Sequence, residues 1–415
     1  MNAPAATHSA AQVAEAAARL RALPPLFAPD EISRLVRALC QSGIHLLGAD
    51  RALAQELRRE LLSSTGLSAG MLEWALTTTF SSLRPDVLDG LAREVTGTPG
   101  LVPVPARLAS VVLAGNIFSA AVRAIYLPLL SGAPVLVKTS SSDDVLPRFL
   151  LRALHAIDPD IAQRCELVSF GRDTPDALQA LLADAEVVSI YGDDSSIQRI
   201  AAQAQPNTRV LRHGHGISAS FVGADALRGG STATRDAGQR VALDIAAYDQ
   251  RGCLSPHVVF VEGDARSFAR SLAETALPEL ARLLPPGAAT LSDQALALQW
   301  RAAAQVRGEL FEGRGYAVSY ESNHAPRSSP GGRLISVYDC PAPDAAIQAL
   351  RPFGSALKCI GVAGPRELRL ELAQCLRPFS AARVCRAGEM QTPPFHAYAD
   401  GQAPLFGLLA FSEAH

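Results

Sequence analysis

The chain has 415 residues, 48% of them hydrophobic and 19% charged, with a formal net charge of −2. That length supplies cores for two or three domains, and the near-neutral balance excludes the strong field that nucleic acid or an anionic membrane would need. Seven cysteines, at 40, 165, 253, 340, 359, 375 and 385, are odd in number and irregularly spaced, with no Cys-x-x-Cys or Cys/His zinc pattern. Reduced thiols in the cytosol are expected, with neither a disulfide framework nor a metal.

Met1–Leu23 is rich in Ala but carries Glu15, Arg19 and Arg21, which breaks the pattern of a signal peptide. There is no run of about 18 apolar residues, so no membrane span is expected. Residues 1–95 read as a helical region. Pro29-Asp30-Glu31-Ile32 opens one helix, with Ile32, Leu35, Val36 and Leu39 at helical spacing. Asp50 caps a second, Arg51–Leu62, and Ser68 a third, Met71–Thr79.

From residue 101 short apolar runs alternate with helical segments. Ala109–Ala114, Pro134–Lys138, Cys165–Phe170 and Glu186–Tyr191 read as strands, with helices at Ala121–Leu130 and Leu146–Ala156. Unbroken apolar strands separated by helices give a parallel sheet covered on both faces. Residues 101–222 are therefore expected to form a doubly wound nucleotide-binding sheet, with ligands outside the carboxyl ends of its strands.

A Gly/Ser loop at 229–231 and a helix at Arg235–Tyr248 lead to Asp249-Gln250-Arg251-Gly252-Cys253-Leu254-Ser255-Pro256-His257. Cys253 is the one thiol with chemical surroundings: a flexible Gly precedes it and the apolar run Val258–Val261 follows. A thiol at the mouth of a buried strand suits attack on an acyl carbon. The other six cysteines read as buried and inert. A second α/β domain follows, with strands at Val258–Val261, Leu334–Tyr338, Ala356–Val362 and Ala382–Val384, and helices around Ala265–Leu284 and Asp293–Glu309. The expected domains are 1–95, packed on the cofactor domain; 96–225, binding the dinucleotide; 226–386, carrying the nucleophile; and a tail, 387–415, returning to the cofactor domain or serving oligomerisation.

Four further segments bear on chemistry. Ala114-Gly115-Asn116-Ile117-Phe118 ends the first strand, Leu136-Val137-Lys138-Thr139-Ser140-Ser141 leaves the second, Tyr191-Gly192-Asp193-Asp194-Ser195 joins strand to helix, and Leu211-Arg212-His213-Gly214-His215-Gly216 follows. Read alone, Asn116 is a turn residue, Lys138 a solvated strand-end cation, and the two histidines are structural or exposed. Gly192 and Ser195 sit where a helix N-terminus offers N–H groups to a pyrophosphate.

In this order and spacing the chain, from about residue 95 to 415, resembles the aldehyde dehydrogenase superfamily. More narrowly, it resembles the acyl-CoA reductase branch that makes long-chain aldehyde for bacterial bioluminescence. The resemblance implies two doubly wound α/β domains with a helical N-terminal region, Cys253 as nucleophile and Asn116 as oxyanion donor. It places Lys138, Ser140 and Ser141 at the adenosine ribose. Many NAD-preferring members carry Glu at the Ser141 position, so NADPH is the expected cofactor. Oxidising relatives place a water-activating Glu where Arg212 stands, which favours handing the acyl group to another thiol such as coenzyme A. His213 or His215 would assist thiolate formation. Asp193 and Asp194 depart from the family's Gly-Ser-Thr-like residues and suit a helix cap. Gly331-Gly332-Arg333 stands where oxidising relatives hold the nicotinamide ribose with Glu. Phe353-Gly354-Ser355 matches a later segment.

The expected reaction reduces an acyl-CoA thioester to an aldehyde in the cytoplasm. The acyl group comes from acyl-CoA or an acyl-enzyme donor, a partner acyl-activating ligase is implied, and so is a homo-oligomer. Oxidation of aldehyde to free acid, and a non-catalytic scaffold of the same fold, are the alternatives.

Overall fold

Caps and Pro residues set the first elements. Ser9 accepts from the Gln12 N–H at the start of helix α1 (Ala10–Arg21), and Pro29 with Asp30 and Glu31 opens α2 (Pro29–Ile44). Asp50 Oδ1 accepts from Leu53 N at 3.0 Å before α3 (Arg51–Thr65), and Ser68 Oγ from Met71 N at 3.3 Å beside α4 (Ala69–Ser81). Helix α5 (Pro85–Thr96) completes the helical region. A computed structural model describes residues 7–115, 117–140, 143–322, 324–376, 379 and 382–414.

Strand and helix then alternate: β1 (Leu101–Pro105), β2 (Ala109–Val112), α6 (Ala120–Leu130), β3 (Val135–Lys138), α7 (Val145–Ile157), α8 (Pro159–Ala162), β4 (Cys165–Val168), α9 (Pro175–Ala183), β5 (Val187–Tyr191), α10 (Asp194–Ala201) and β6 (Arg209–His213). Strands β2 to β6 form a parallel sheet in the order β4-β3-β2-β5-β6. The order reverses at β2, so the switch point lies at its carboxyl end. Val13 and Leu20 of α1 pack with Leu136, Val168, Phe170, Val188, Ile190, Ile197 and Ile200 against this sheet. Each such buried side chain contributes roughly 1.5–3 kcal/mol.

The second run comprises β7 (Ile217–Val222), α11 (Gly230–Ala246), β8 (Pro256–Val261), α12 (Ala265–Ser271), α13 (Leu277–Leu283), α14 (Leu291–Arg307), β9 (Glu309–Gly313), β10 (Tyr316–Tyr320), β11 (Leu334–Asp339), α15 (Pro343–Leu350), β12 (Leu357–Ala363), α16 (Arg366–Cys375) and β13 (Arg383–Arg386), before β14 (Leu409–Glu413) ends the chain. Seven strands pair in the order β13-β12-β7-β8-β11-β10-β9, parallel except for β9 against β10. Strand β14 pairs antiparallel with β1 in a separate two-stranded ribbon. Pro103 and Pro105 are tolerated there because such a ribbon leaves each strand an outer edge with no ladder bond to lose.

The chain divides into one unit of 1–65, 76–215 and 394–415, and a second of 66–75 and 216–393. Three expectations change. Residues 217–222 belong to the seven-stranded sheet, because their ladder partners are β8 and β12. The boundary therefore falls at 215/216 rather than 225/226. The helix before Cys253 starts at Gly230 and ends at Ala246, one extended residue before the left-handed run Tyr248–Gln250. The hairpin β9–β10, turned by Gly313-Arg314-Gly315, has no counterpart in the sequence reading. Tyr316-Ala317-Val318-Ser319-Tyr320 is too short and mixed to separate from loop without its partner strands. Among the described residues, no helix is long and apolar enough to cross a membrane.

Candidate active site

Cys253 follows a backbone conformation that ordinary residues avoid. Tyr248, Asp249 and Gln250 have φ of 53°, 52° and 61°, three consecutive non-glycine residues in the left-handed region. Each costs about 1–2 kcal/mol, so the turn persists only where its surroundings determine it. Those surroundings are dense. Arg333 Nε donates to Asp249 Oδ1 at 3.0 Å, and Arg333 Nη2 lies 2.8 Å from the same oxygen, off the hydrogen-bond axis. Gly287 N donates to Asp249 Oδ2 at 3.1 Å, and Gly332 N to the Asp249 carbonyl at 3.0 Å. Gln250 Nε2 donates to the carbonyls of Pro256 and Leu334 at 2.7 and 3.0 Å, while its Oε1 accepts from Leu334 N at 2.8 Å. Tyr248 packs edge-on against Trp74, ring centroids 5.7 Å apart.

Cys253 itself is half-buried. Ser218 Oγ donates to its carbonyl at 2.9 Å, Ser255 N to the Gly252 carbonyl at 2.9 Å, and Gln391 Nε2 to Ser255 Oγ at 3.0 Å. The remaining cysteines are held otherwise. Burial pushes the Cys40 thiol up to about 11 and raises Cys165 as well. Cys340 donates to the Ala342 carbonyl at 3.1 Å, and Cys359 and Cys385 lie with sulfurs 3.6 Å apart in the core. Cys375 is half-buried too, but its Sγ donates to Asp344 at 3.0 Å, and that bond, then burial, holds it protonated up to about 11. A high-pKa thiol is a poor nucleophile near neutrality.

At the carboxyl ends of the five-stranded sheet, Lys138 closes β3. Its Nζ donates to the Thr139 carbonyl at 3.2 Å and sits 5.3 Å from the centre of the Phe170 ring. Burial first, then the charges of Arg172 and Arg199, lower its pKa. Phe170 leads directly into Arg172, and Arg199 lies between Ile197 and Ile200, which pack in the same cluster as Phe170. Neither arginine has an acidic partner among the described residues. Like charges near Lys138 make this end of the sheet electropositive.

Ser140 is half-buried, and its carbonyl accepts from Asp143 N at 3.4 Å. Asn116 and Ser141 lie outside the described residues. Gly192 N donates to the His213 carbonyl at 3.3 Å. Ser195 Oγ donates to Asp193 Oδ1 at 2.6 Å, and Asp193 also accepts from Ser196 N at 2.8 Å and Ser196 Oγ at 2.9 Å. Those bonds, led by Ser195, hold the Asp193 carboxyl well below its usual range. Asp193 therefore takes up the start of α10 as a cap.

His213 stacks on Tyr191, centroids 4.3 Å apart, and its Nδ1 lies 3.2 Å from Asp400 Oδ2. His215 and Arg212 are exposed. Gly214 and Gly216 are required by close approach. A Cβ on the first would fall 2.7 Å from Asp194 Oδ1, and on the second 2.1 Å from Lys358 Cγ. Sequence reasoning missed Asp249, Arg333, Arg172, Arg199 and Asp400, whose partners lie far away along the chain. The three positive-φ residues carried no Gly or Asn to signal them.

The sequence profile of the acyl-CoA reductase (LuxC) family matches residues 93–410. The chain belongs to that family. A long-chain acyl-protein thioester reductase of Aliivibrio fischeri is 28% identical over 189 residues, covering 44% of this chain and 38% of that one. Long-chain acyl-protein thioester reductase 2 of Photobacterium leiognathi is 24% identical over 308 residues, covering 72% and 62%. The match thus spans less than two thirds of either relative. A NAD-dependent benzaldehyde dehydrogenase of Corynebacterium glutamicum superposes with a TM-score of 0.72 at 16% identity, over 98% of this chain and 90% of that one. The acyl-CoA reductase chain therefore has the aldehyde dehydrogenase fold.

Proposed function

We propose that this acyl-CoA reductase reduces a long-chain acyl thioester, from acyl-CoA or an acyl-enzyme donor, to the aldehyde with NADPH, carrying the acyl group on Cys253. The observation that carries the proposal is the half-buried Cys253 thiol directly after a strained turn held by buried hydrogen bonds and an ion pair. The long-chain acyl thioester comes from the names of the two relatives.

In this mechanism the Cys253 thiolate attacks the thioester carbon, and the outgoing thiol leaves as a thiolate that needs little acid assistance. Asn116 donates its amide to the developing oxyanion, worth about 3–4 kcal/mol in such a role. His213 or His215 takes the Cys253 proton. When bound, the nicotinamide supplies a hydride to the acyl carbon. Collapse of the resulting thiohemiacetal frees the aldehyde and returns the Cys253 thiolate. Arg212 offers no carboxylate to activate water, so the acyl group stays on sulfur instead of leaving as free acid. Lys138, with Ser140 and Ser141, holds the adenosine ribose, and Gly192 and Ser195 border the pyrophosphate. A cytoplasmic homo-oligomer supplied by an acyl-activating ligase completes the proposal.

Product analysis tests it. With acyl-CoA and NADPH the expected product is aldehyde plus one equivalent of free CoA. Fatty acid as the main product, or turnover favouring NADH, would overturn the corresponding part.

A further inference from the structure

We propose that the buried Asp249–Arg333 pair is the positioning device of the nucleophile, locking the left-handed turn that fixes where the Cys253 thiol points. The inference rests on Cys253 being the acyl-carrying residue.

Two left-handed segments meet here. One is 248–250; the other is 331–333, where Gly331, Gly332 and Arg333 have φ of 89°, 69° and 59°. Arg333 is thus itself a left-handed non-glycine residue, and it is 2% exposed beside an Asp249 that is 6% exposed. Side chain meets side chain through the ion pair, and main chain meets main chain through Gly332 N and the Asp249 carbonyl. Gln250 then ties the next residue to Leu334 on β11. A buried ion pair is no better for stability than well-packed hydrocarbon, and its best-attested use is to specify one conformation among several. Hydrocarbon at 249 and 333 would fill the space without holding the turn against its own strain.

The consequence falls on the thiol. On the downstream side Ser218 holds the Cys253 carbonyl, and Ser255 N closes a turn back onto the Gly252 carbonyl. Upstream, only Arg251 and Gly252 separate it from the locked turn. Releasing Asp249 lets the upstream arm relax while the downstream arm stays fixed, which rotates the Cys253 side chain. A displacement near 1 Å costs about 100-fold in a step that depends on attack geometry. Substrate affinity, set elsewhere, stays as it was.

The test is single-turnover acylation by acyl-CoA in Asp249→Asn, Arg333→Gln, the double variant and Arg333→Lys, with rates expressed per titrated thiol and melting temperature followed alongside. Acylation is expected to fall about 100-fold in each single variant while the acyl-CoA dissociation constant holds. The double variant is expected to be no worse than either single, because the two act as one unit. Arg333→Lys, which keeps the charge and the fold, is expected to recover part of the rate. Unchanged acylation per thiol in Arg333→Lys and Asp249→Asn, or losses that multiply in the double variant, would overturn the proposal. Acyl label persisting in Cys253→Ala would instead remove the reading beneath it.

Discussion

Ser218 Oγ donates to the Cys253 carbonyl at 2.9 Å, tying the residue that carries the thiol to the second residue of strand β7. The tie comes from a strand that sequence reading placed in the other sheet. Removing it in Ser218→Ala loses one hydrogen bond, worth about 1 kcal/mol, and leaves the carbonyl partly unsatisfied. Acylation of Cys253 by acyl-CoA is expected to slow about five-fold, the rate equivalent of that energy. Stopped-flow measurement of the acyl-transfer step checks this, and an unchanged rate would show that the carbonyl anchor is dispensable.

Lys138, Arg172 and Arg199 predict cofactor choice. Arg172→Gln and Arg199→Gln are each expected to cut the preference for NADPH over NADH about ten-fold, equivalent to about 1.4 kcal/mol per lost charge. Calorimetry gives an activity-free readout: adenosine 2′,5′-bisphosphate is expected to bind more weakly to both variants, and 5′-AMP equally well. If both nucleotides lose affinity together, the arginines do not read the phosphate.

The location of this cluster shows where sequence reading stops. Strands β2, β3, β4 and β5 were legible as short, mostly apolar runs between helical segments; β2, β3 and β5 are buried almost throughout, and β4, with Glu166, lies at the sheet edge. Lys138 was legible as a strand-end cation. Arg172 and Arg199 were not, since nothing along the chain shows that the loop after β4 and the helix after β5 bring charge near Lys138. Cys253 stood out by its Gly and the following strand, but the three left-handed residues before it look like ordinary sequence. Their conformation is imposed by Arg333 and Leu334, more than eighty residues downstream. Strand β7 is not singled out by its sequence, and the block 101–222 places it in the wrong sheet, because a run of small and apolar residues does not name its neighbours.

Asp244 predicts an unusual dependence of stability on pH. It is buried on α11 and accepts from Gly388 N at 2.6 Å and Met390 N at 3.0 Å. Burial, only partly opposed by these donors, pushes its carboxyl up to about 7. An unfolded carboxyl titrates near 3.9, so between about pH 4 and 7 the folded chain holds a proton that the unfolded chain has lost. This contribution is fully present below about pH 4 and declines as pH rises to 7, by an amount on the order of a few kcal/mol. The fall in melting temperature across that window is expected to be shallower in Asp244→Asn than in the parent chain. Parallel profiles for the two would show that Asp244 is ionised throughout.

The central claim is a covalent acyl group on one sulfur, and intact-mass spectrometry reads it directly. Incubation with acyl-CoA in the absence of dinucleotide is expected to add the mass of one acyl chain per polypeptide. That adduct should map to the peptide containing Cys253, disappear on adding NADPH with release of aldehyde, and be absent from Cys253→Ala. An adduct of equal yield in Cys253→Ala, or aldehyde formed by that variant at the parent rate, would contradict the account.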